Sequence, residues 1–243
     1  MRDRRILVID IETVPNETLF GFLEGARGLP KGSVAKEPVM LKSMALDPLY
    51  GRIALVGMIA SEGSEASDLS GEVLSAQVDE EESRLLEHYA RTLRKDDLVV
   101  TFNGNRFDIP YLEMRARVLG VKIPRAVSTY PYGDGAEKGH VDLLNLVTNG
   151  GSTSGRGGPP HDLGSVAQVL GLPDEGPDMD GSMVYPTWKK REFEKLKQYC
   201  LNDVILTAEL FDRLYAADLG GKAFAGVKKL AGGESLAGNH PKR

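Results

Sequence analysis

The sequence predicts a single α/β domain, on three observations. Segments rich in Ile, Val and Leu read as strands over 5–11, 52–60, 72–78 and 98–102. Helical spacing then dominates the second half, with the longest pattern over 190–215. No internal repeat and no second domain interrupts this order, so a sheet forms and helices cover it. A chain of 243 residues, 41% of them hydrophobic, is long enough for such a core.

The first strand runs into Asp10 and Glu12. Residues 14–50 carry Pro15, Pro30, Pro38 and Pro48 and read as an irregular insertion with short helices. A polar loop over 61–71 joins the second and third strands. Residues 79–93 place Leu85, Leu86, Tyr89 and Leu93 at helical spacing, with acids in the first turns where the helix dipole favours them. The fourth strand leads through a turn to a helix over 110–119, with Pro110 at its first position and Gly120 past its end. Residues 141–147 fit either a short strand or a helix start. Residues 150–160 and 172–187 read as loops, and 163–170 as a short helix stopped by Gly171. The tail from 217 to 243 is Gly-rich, mildly basic and aperiodic. It is expected to be weakly ordered, which leaves residues 1–216 as the functional domain.

The net charge of −5 argues against a protein that holds nucleic acid mainly by neutralising phosphates. The longest clean apolar run, Ala54 to Ala60, is too short to cross a bilayer. The N-terminus lacks the long apolar stretch of a secretory signal, so a soluble cytoplasmic protein without a membrane partner is expected. Cys200 is the only cysteine and sits in an apolar helical stretch, as a buried structural thiol would.

Three short segments carry the chemistry. Asp10 and Glu12 are two apart on a strand, so both carboxylates project from one face. Alone, such a pair is as well explained as a solvated strand end. Asp108 sits at a strand–helix junction, where it is either a helix cap or an acid turned to the same side of the sheet. Tyr199 and Asp203 are one helical turn apart on one face. Alone, they could be a core tyrosine and a surface acid. Taken together, the set is sharper. Phosphodiester hydrolysis with two divalent ions needs several carboxylates converging from different elements, and four roughly balance two such ions. His140 and His161 read as loop residues rather than ligands. A phosphate-binding loop fails at 150–157, where Arg156 and Gly157 replace the required Lys and Ser/Thr. No GxGxxG follows a strand.

The order Asp-x-Glu, then Asn-x4-Asp within Phe102 to Leu112, then Tyr-x3-Asp resembles the DEDD exonucleases. It is most similar to the predicted 3′–5′ exonucleases related to the proofreading domain of family B DNA polymerases. Leu172 to Asp203, with Asp180-Gly181-Ser182, is similar to that smaller group rather than to the polymerases themselves. The resemblance covers about residues 5–215. It implies a ribonuclease-H-like exonuclease fold, with a mixed central sheet flanked by helices. It also implies Asp10, Glu12, Asp108 and Asp203 as ligands of two Mg²⁺ or Mn²⁺ ions, with Tyr199 positioning the attacking water. Gln198 stands where the histidine sub-class carries its His, so the tyrosine (DEDDy) version fits. Thr13, Asn103 and Phe107 fall where the family contacts the 3′-terminal nucleotide, although Phe107 is equally a core residue. Asp142 resembles a family motif of structural role.

The expected activity is metal-dependent 3′–5′ exonuclease action on single-stranded or frayed DNA, releasing 5′-mononucleotides. A 3′–5′ exoribonuclease is the alternative, and a non-catalytic nucleic-acid-binding or polymerase-accessory module a third. With no polymerase segment in the chain, proofreading or repair would act in trans, with a polymerase or repair factor as partner.

Overall fold

The computed structural model describes residues 4–22, 37–62, 69–123, 139–148, 161–219 and 221–232. Five strands form one mixed sheet: β1 (Ile6–Pro15), β2 (Gly51–Ser61), β3 (Leu69–Ser75), β4 (Leu98–Thr101) and β5 (His140–Asp142), in the order β3-β2-β1-β4-β5. β1 runs antiparallel to β2, and β2 to β3, while β1, β4 and β5 are parallel neighbours. The helices are α1 (Glu37–Ala45), α2 (Glu82–Thr92), α3 (Asp108–Leu119), α4 (Leu143–Val147), α5 (Leu163–Val169), α6 (Val184–Lys189) and α7 (Phe193–Leu219). None of the described helices is long and apolar enough to cross a membrane.

Strand alternation divides the core. Ile6 and Val8 turn to the face covered by α7, where they pack with Val204, Ala208 and Phe211. Leu7, Ile9 and Ile11 turn to the other face and pack with Leu85, Leu86 and Tyr89 of α2 and Leu112 of α3. β1 is central and outruns β4: its pairing to β4 spans only Ile6 to Val8. Asp10 and Glu12 therefore lie beyond the carboxyl end of β4, the usual position for a site in an open sheet with parallel strands. The β1–β2 register slips between Glu12 and Thr13, a bulge of the kind found beside functional sites.

Several elements differ from the sequence expectation. β1 continues to Pro15, because Val14 and Pro15 still pair with Arg52 and Gly51. Residues 141–147 resolve as both alternatives: β5 ends at Asp142, whose carboxylate caps α4 through Leu144 N at 3.0 Å. His140 is a buried strand residue, not a loop residue, with Nε2 2.9 Å from Thr101 Oγ1. The loop expected over 172–187 contains the start of α6. Asp180 caps the 3-10 turn Gly181–Met183 that leads into it, accepting from Ser182 N at 2.7 Å, and Pro186 is tolerated in the first turn of α6. The expected insertion contains α1, and the loop expected over 150–160 lies outside the described residues.

Residues 221–232 depart furthest from expectation. They were expected to belong to a weakly ordered tail, yet Ala223, Phe224 and Val227 are buried in the α7-side core. The Asp212 carboxylate accepts from Ala223 N at 2.7 Å and Phe224 N at 3.0 Å, and Ser61 Oγ donates to the Ala223 carbonyl at 2.7 Å. Three apolar anchors spaced among glycines suffice to dock a segment without helical periodicity.

A buried network holds the chain after α1. Arg115 grips Glu82 through two bonds of 2.8 and 2.6 Å, and its Nη1 donates to the Pro48 carbonyl at 3.1 Å. Glu82 also accepts from Ile53 N at 2.8 Å, and Tyr111 Oη donates to the Ala45 carbonyl at 3.0 Å.

Candidate active site

Asp10, Glu12 and Asp203 converge, each offering a carboxylate oxygen within 4.8 Å of the others. Two come from one face of β1 and the third from α7, which crosses that face. The close crossing is possible because β2 carries Gly57 opposite Asp10. A Cβ at Gly57 would lie 2.5 Å from Val204 Cγ2 and 2.9 Å from Cys200 Sγ, so any larger residue pushes α7 away. Cys200 is fully buried there as a structural thiol, as expected.

Asp108 stands beside this trio but is not part of it. It opens α3, and its Oδ1 accepts from Ile11 N at 3.1 Å. That N–H lies past the end of β4 and has no strand to pair with. Asp108 is thus the first residue of α3 and not its cap: Phe107 holds the cap position, with no side-chain cap hydrogen bond. The turn that delivers it is tied down by Asp142, whose carboxylate accepts from Asn103 N and Asn105 N, both at 2.9 Å. Asn103 adopts φ +69°, which asparagine tolerates better than most residues.

The electrostatics of the cluster are adverse. Burial pushes the Asp10 and Glu12 carboxyls well above the usual range, and the neighbouring carboxylates push them further. Burial likewise raises Asp108 to about 7, although backbone N–H groups oppose it. Asp203 also rises to about 7 through burial, despite hydrogen bonds from Tyr199 and Asn202. Burial and the surrounding acids raise the Tyr199 phenol, so it stays protonated at neutral pH and serves as a donor. Asp10 Oδ2 is shielded from solvent without any hydrogen-bond partner. An orphaned carboxylate oxygen among like charges is costly, and a hard cation is the partner such oxygen donors suit. The residues present therefore fit a divalent metal.

A cavity of about 540 Å³ opens beside Glu12. Thr13 and Phe107 line it; Asn103 does not. The remaining wall comes from Leu41, Lys42 and Leu46 in and after α1 and from Tyr185 in α6. These wall residues were not identified from sequence, because α1 and α6 lay within stretches read as irregular. Asn202 was also missed. Its Nδ2 donates to Asp174 Oδ1 at 2.8 Å and it also bonds Asp203, so it bridges two acids that repel. Its position beside Asp203 was the available signal.

Residues 48–223 match the family model of predicted 3′–5′ exonucleases related to the exonuclease domain of PolB. The chain is 33% identical over 125 residues to DNA polymerase 1 of Aeropyrum pernix, covering 50% of this chain and 13% of the polymerase. It is 36% identical over 149 residues to a DNA polymerase of Pyrococcus glycovorans, covering 53% of this chain and 18% of that protein. The solved family B DNA polymerase of Pyrobaculum calidifontis superposes with a TM-score of 0.60 at 25% identity, covering 94% of this chain and 27% of the polymerase. The chain thus spans less than a third of each of these polymerases. Its fold is the ribonuclease-H-like exonuclease fold. The protein belongs to the family of predicted 3′–5′ exonucleases related to the polymerase B exonuclease domain.

Gly57 gives a direct test of the α7 crossing. Gly57→Ala is expected to cost about 1–3 kcal/mol by overpacking. By displacing Asp203, it should also slow turnover by about 10- to 100-fold. Thermal melts beside single-turnover rates measure both, and a variant with wild-type rate would show that the close approach is irrelevant to the site.

Proposed function

We propose that this protein is a metal-dependent exonuclease that removes nucleotides from the 3′ end of single-stranded or frayed DNA as 5′-monophosphates. The observation that carries this reading is the meeting of Asp10, Glu12 and Asp203, with a buried Asp10 oxygen that has no partner. Asp10, Glu12, Asp108 and Asp203 would hold two Mg²⁺ or Mn²⁺ ions. When bound, such ions supply water activation and stabilise charge on the phosphate and the leaving 3′-oxygen. Tyr199, in the tyrosine version of the site, would turn its phenol O–H from Asp203 to the attacking water and orient it by a hydrogen bond. Thr13 and Phe107 would seat the terminal nucleotide in the adjoining cavity, with Leu41, Leu46 and Tyr185 against its base. DNA is favoured because the named relatives are DNA polymerases. We extend the functional domain through the docked segment 221–232.

The test uses matched DNA and RNA oligonucleotides, labelled at either end, with Mg²⁺, Mn²⁺ or EDTA. A 5′ label should yield a descending ladder, and a 3′ label should leave at once as a mononucleotide. Blunt duplex should be degraded more slowly, since opening each base pair costs about 1–2 kcal/mol. Activity surviving EDTA, or starting at the 5′ end, would sink the reading. Strong preference for RNA would make the protein an exoribonuclease.

Tyr199→Phe separates orientation from metal binding. Loss of one orienting hydrogen bond should lower kcat by roughly 10- to 1,000-fold. Metal affinity by calorimetry should barely change, and an equal loss of affinity would mean that Tyr199 serves the metal instead.

A further inference from the structure

A second cavity, of about 370 Å³, also uses α6 as a wall: Trp188 and Lys189 line it, where Tyr185 and Pro186 line the first. Arg191 and Phe193, from the turn after α6 and the start of α7, add a cation and an aromatic ring. The two acids of its lining are already engaged. Glu17 pairs with Lys189 and Asp79 with Arg52, both at 2.7 Å. Arg52 is buried, with its guanidinium carbon 4.6 Å from the Trp188 ring centroid and its Nη2 shielded without a hydrogen-bond partner. With Lys189 paired to Glu17 and Asp79 paired to the Arg52 behind it, Arg191 is the lining charge left without an ion pair among the described residues.

Arg191 is the informative residue. α6 closes with Arg191 N donating to the Trp188 carbonyl at 2.9 Å and Glu192 N to the Thr187 carbonyl at 3.2 Å. The closure puts Arg191 at φ +61°. Helices usually place glycine there, because a Cβ disfavours the left-handed conformation. This sequence places an arginine against that preference. Its exposed guanidinium lies 5.8 Å from the Phe193 ring centroid, and no ion pair engages it among the described residues. Backbone strain that presents such a cation at the edge of an aromatic cavity is the kind of outlier from which a functional hypothesis starts.

We propose that this cavity binds the single-stranded DNA behind the terminal nucleotide, with Arg191 on a backbone phosphate and Trp188 and Phe193 against the sugar and base. The proposal rests on the exonuclease reading above. β1 links the two places: Glu12 belongs to the acid cluster, and Pro15, three residues on, borders the cavity. At about 3.3 Å per strand residue that is about 10 Å, within reach of nucleotides following the first. Aromatic faces with an unpaired cation are the usual means of gripping single strands without reading their sequence.

The test compares wild type, Arg191→Gly and Arg191→Lys on a thymidine dinucleotide and on an oligothymidylate of about a dozen residues. Arg191→Gly relieves the left-handed strain, so its melting temperature should hold or rise. Its KM for the long substrate should rise about 5- to 10-fold, with kcat and the dinucleotide KM unchanged. The log–log salt slope of the long-substrate KM should flatten by about 0.7, the value of one lost phosphate contact on a single strand. Arg191→Lys keeps the charge and should recover most of the KM. An unchanged long-substrate KM in Arg191→Gly, an equal rise on both substrates, or a sharp fall in melting temperature would overturn the proposal while the exonuclease reading stands. A wild type that hydrolyses neither substrate would sink both.

Discussion

Asp203→Asn is expected to abolish turnover and, at the same time, raise the melting temperature of the metal-free protein. The loss follows from charge: an amide removes one negative charge and one strong oxygen donor from a site built for divalent cations. Losing several kcal/mol of charge stabilisation corresponds to a rate drop of a thousandfold or more, at about 1.4 kcal/mol per decade. The gain follows from the cost of burying a carboxylate among other acids. The Asp203 and Asp108 carboxyls are raised to about 7, from 3.8, chiefly by burial. Between those values the folded protein holds protons that the unfolded chain releases. Through these two groups the metal-free fold should therefore lose stability as pH rises from about 4 to about 7, and the raised Asp10 and Glu12 carboxyls add to the loss. Asparagine removes the Asp203 share, and each kcal/mol recovered should appear as roughly 2–4 °C in a chain of this size. Melts of wild type and variant at pH 5 and pH 8, with and without Mg²⁺, provide the check. Mg²⁺ should stabilise wild type at pH 8, do less at pH 5 where protons compete, and do little for the variant. A variant that melts lower than wild type at pH 8 without metal would show that the buried Asp203 carboxylate carries no such penalty.

Truncation after Leu219 should unfold the protein or destabilise it by more than about 5 kcal/mol. It removes Phe224 and Val227 from the α7-side core, and deleting a buried phenylalanine side chain alone costs about 3–5 kcal/mol. It also strips the buried Asp212 carboxylate of the Ala223 and Phe224 N–H groups that satisfy it, leaving a buried acceptor unpaired. Phe224→Ala in the full chain should reproduce the packing part alone, because the backbone N–H groups remain. Urea midpoints for the three proteins separate these contributions. A truncated chain with a wild-type midpoint would mean that the docked segment adds nothing, as the composition of the tail by itself would suggest.

The local geometry of the acids was legible in the sequence, because it depends on short-range periodicity. A strand puts Asp10 and Glu12 on one face, and a helix puts Tyr199 and Asp203 on one face, whatever the rest of the chain does. The strands and the long helix were legible for the same reason: their apolar spacing is regular enough to identify β2, β4 and α7 within a few residues of their observed limits. Elements that rely on capping and on distant partners were not. α6 is short and follows a 3-10 turn capped by Asp180, and 221–232 has anchors but no period.

Tertiary structure alone decided which of these residues meet. Asp203 reaches Asp10 only because Gly57, on a different strand, lets α7 lie against the sheet. Asp108 reaches Ile11 only because β4 stops short of the acids and leaves that N–H without a strand partner. The cavity beside Glu12 exists because Arg115 and Tyr111 hold the end of α1 and the loop after it from across the fold. Periodicity is a property of neighbours in the chain, so it fixes which face a side chain occupies. The approach of two faces depends on volumes and hydrogen-bond partners far apart in sequence, which no local pattern encodes.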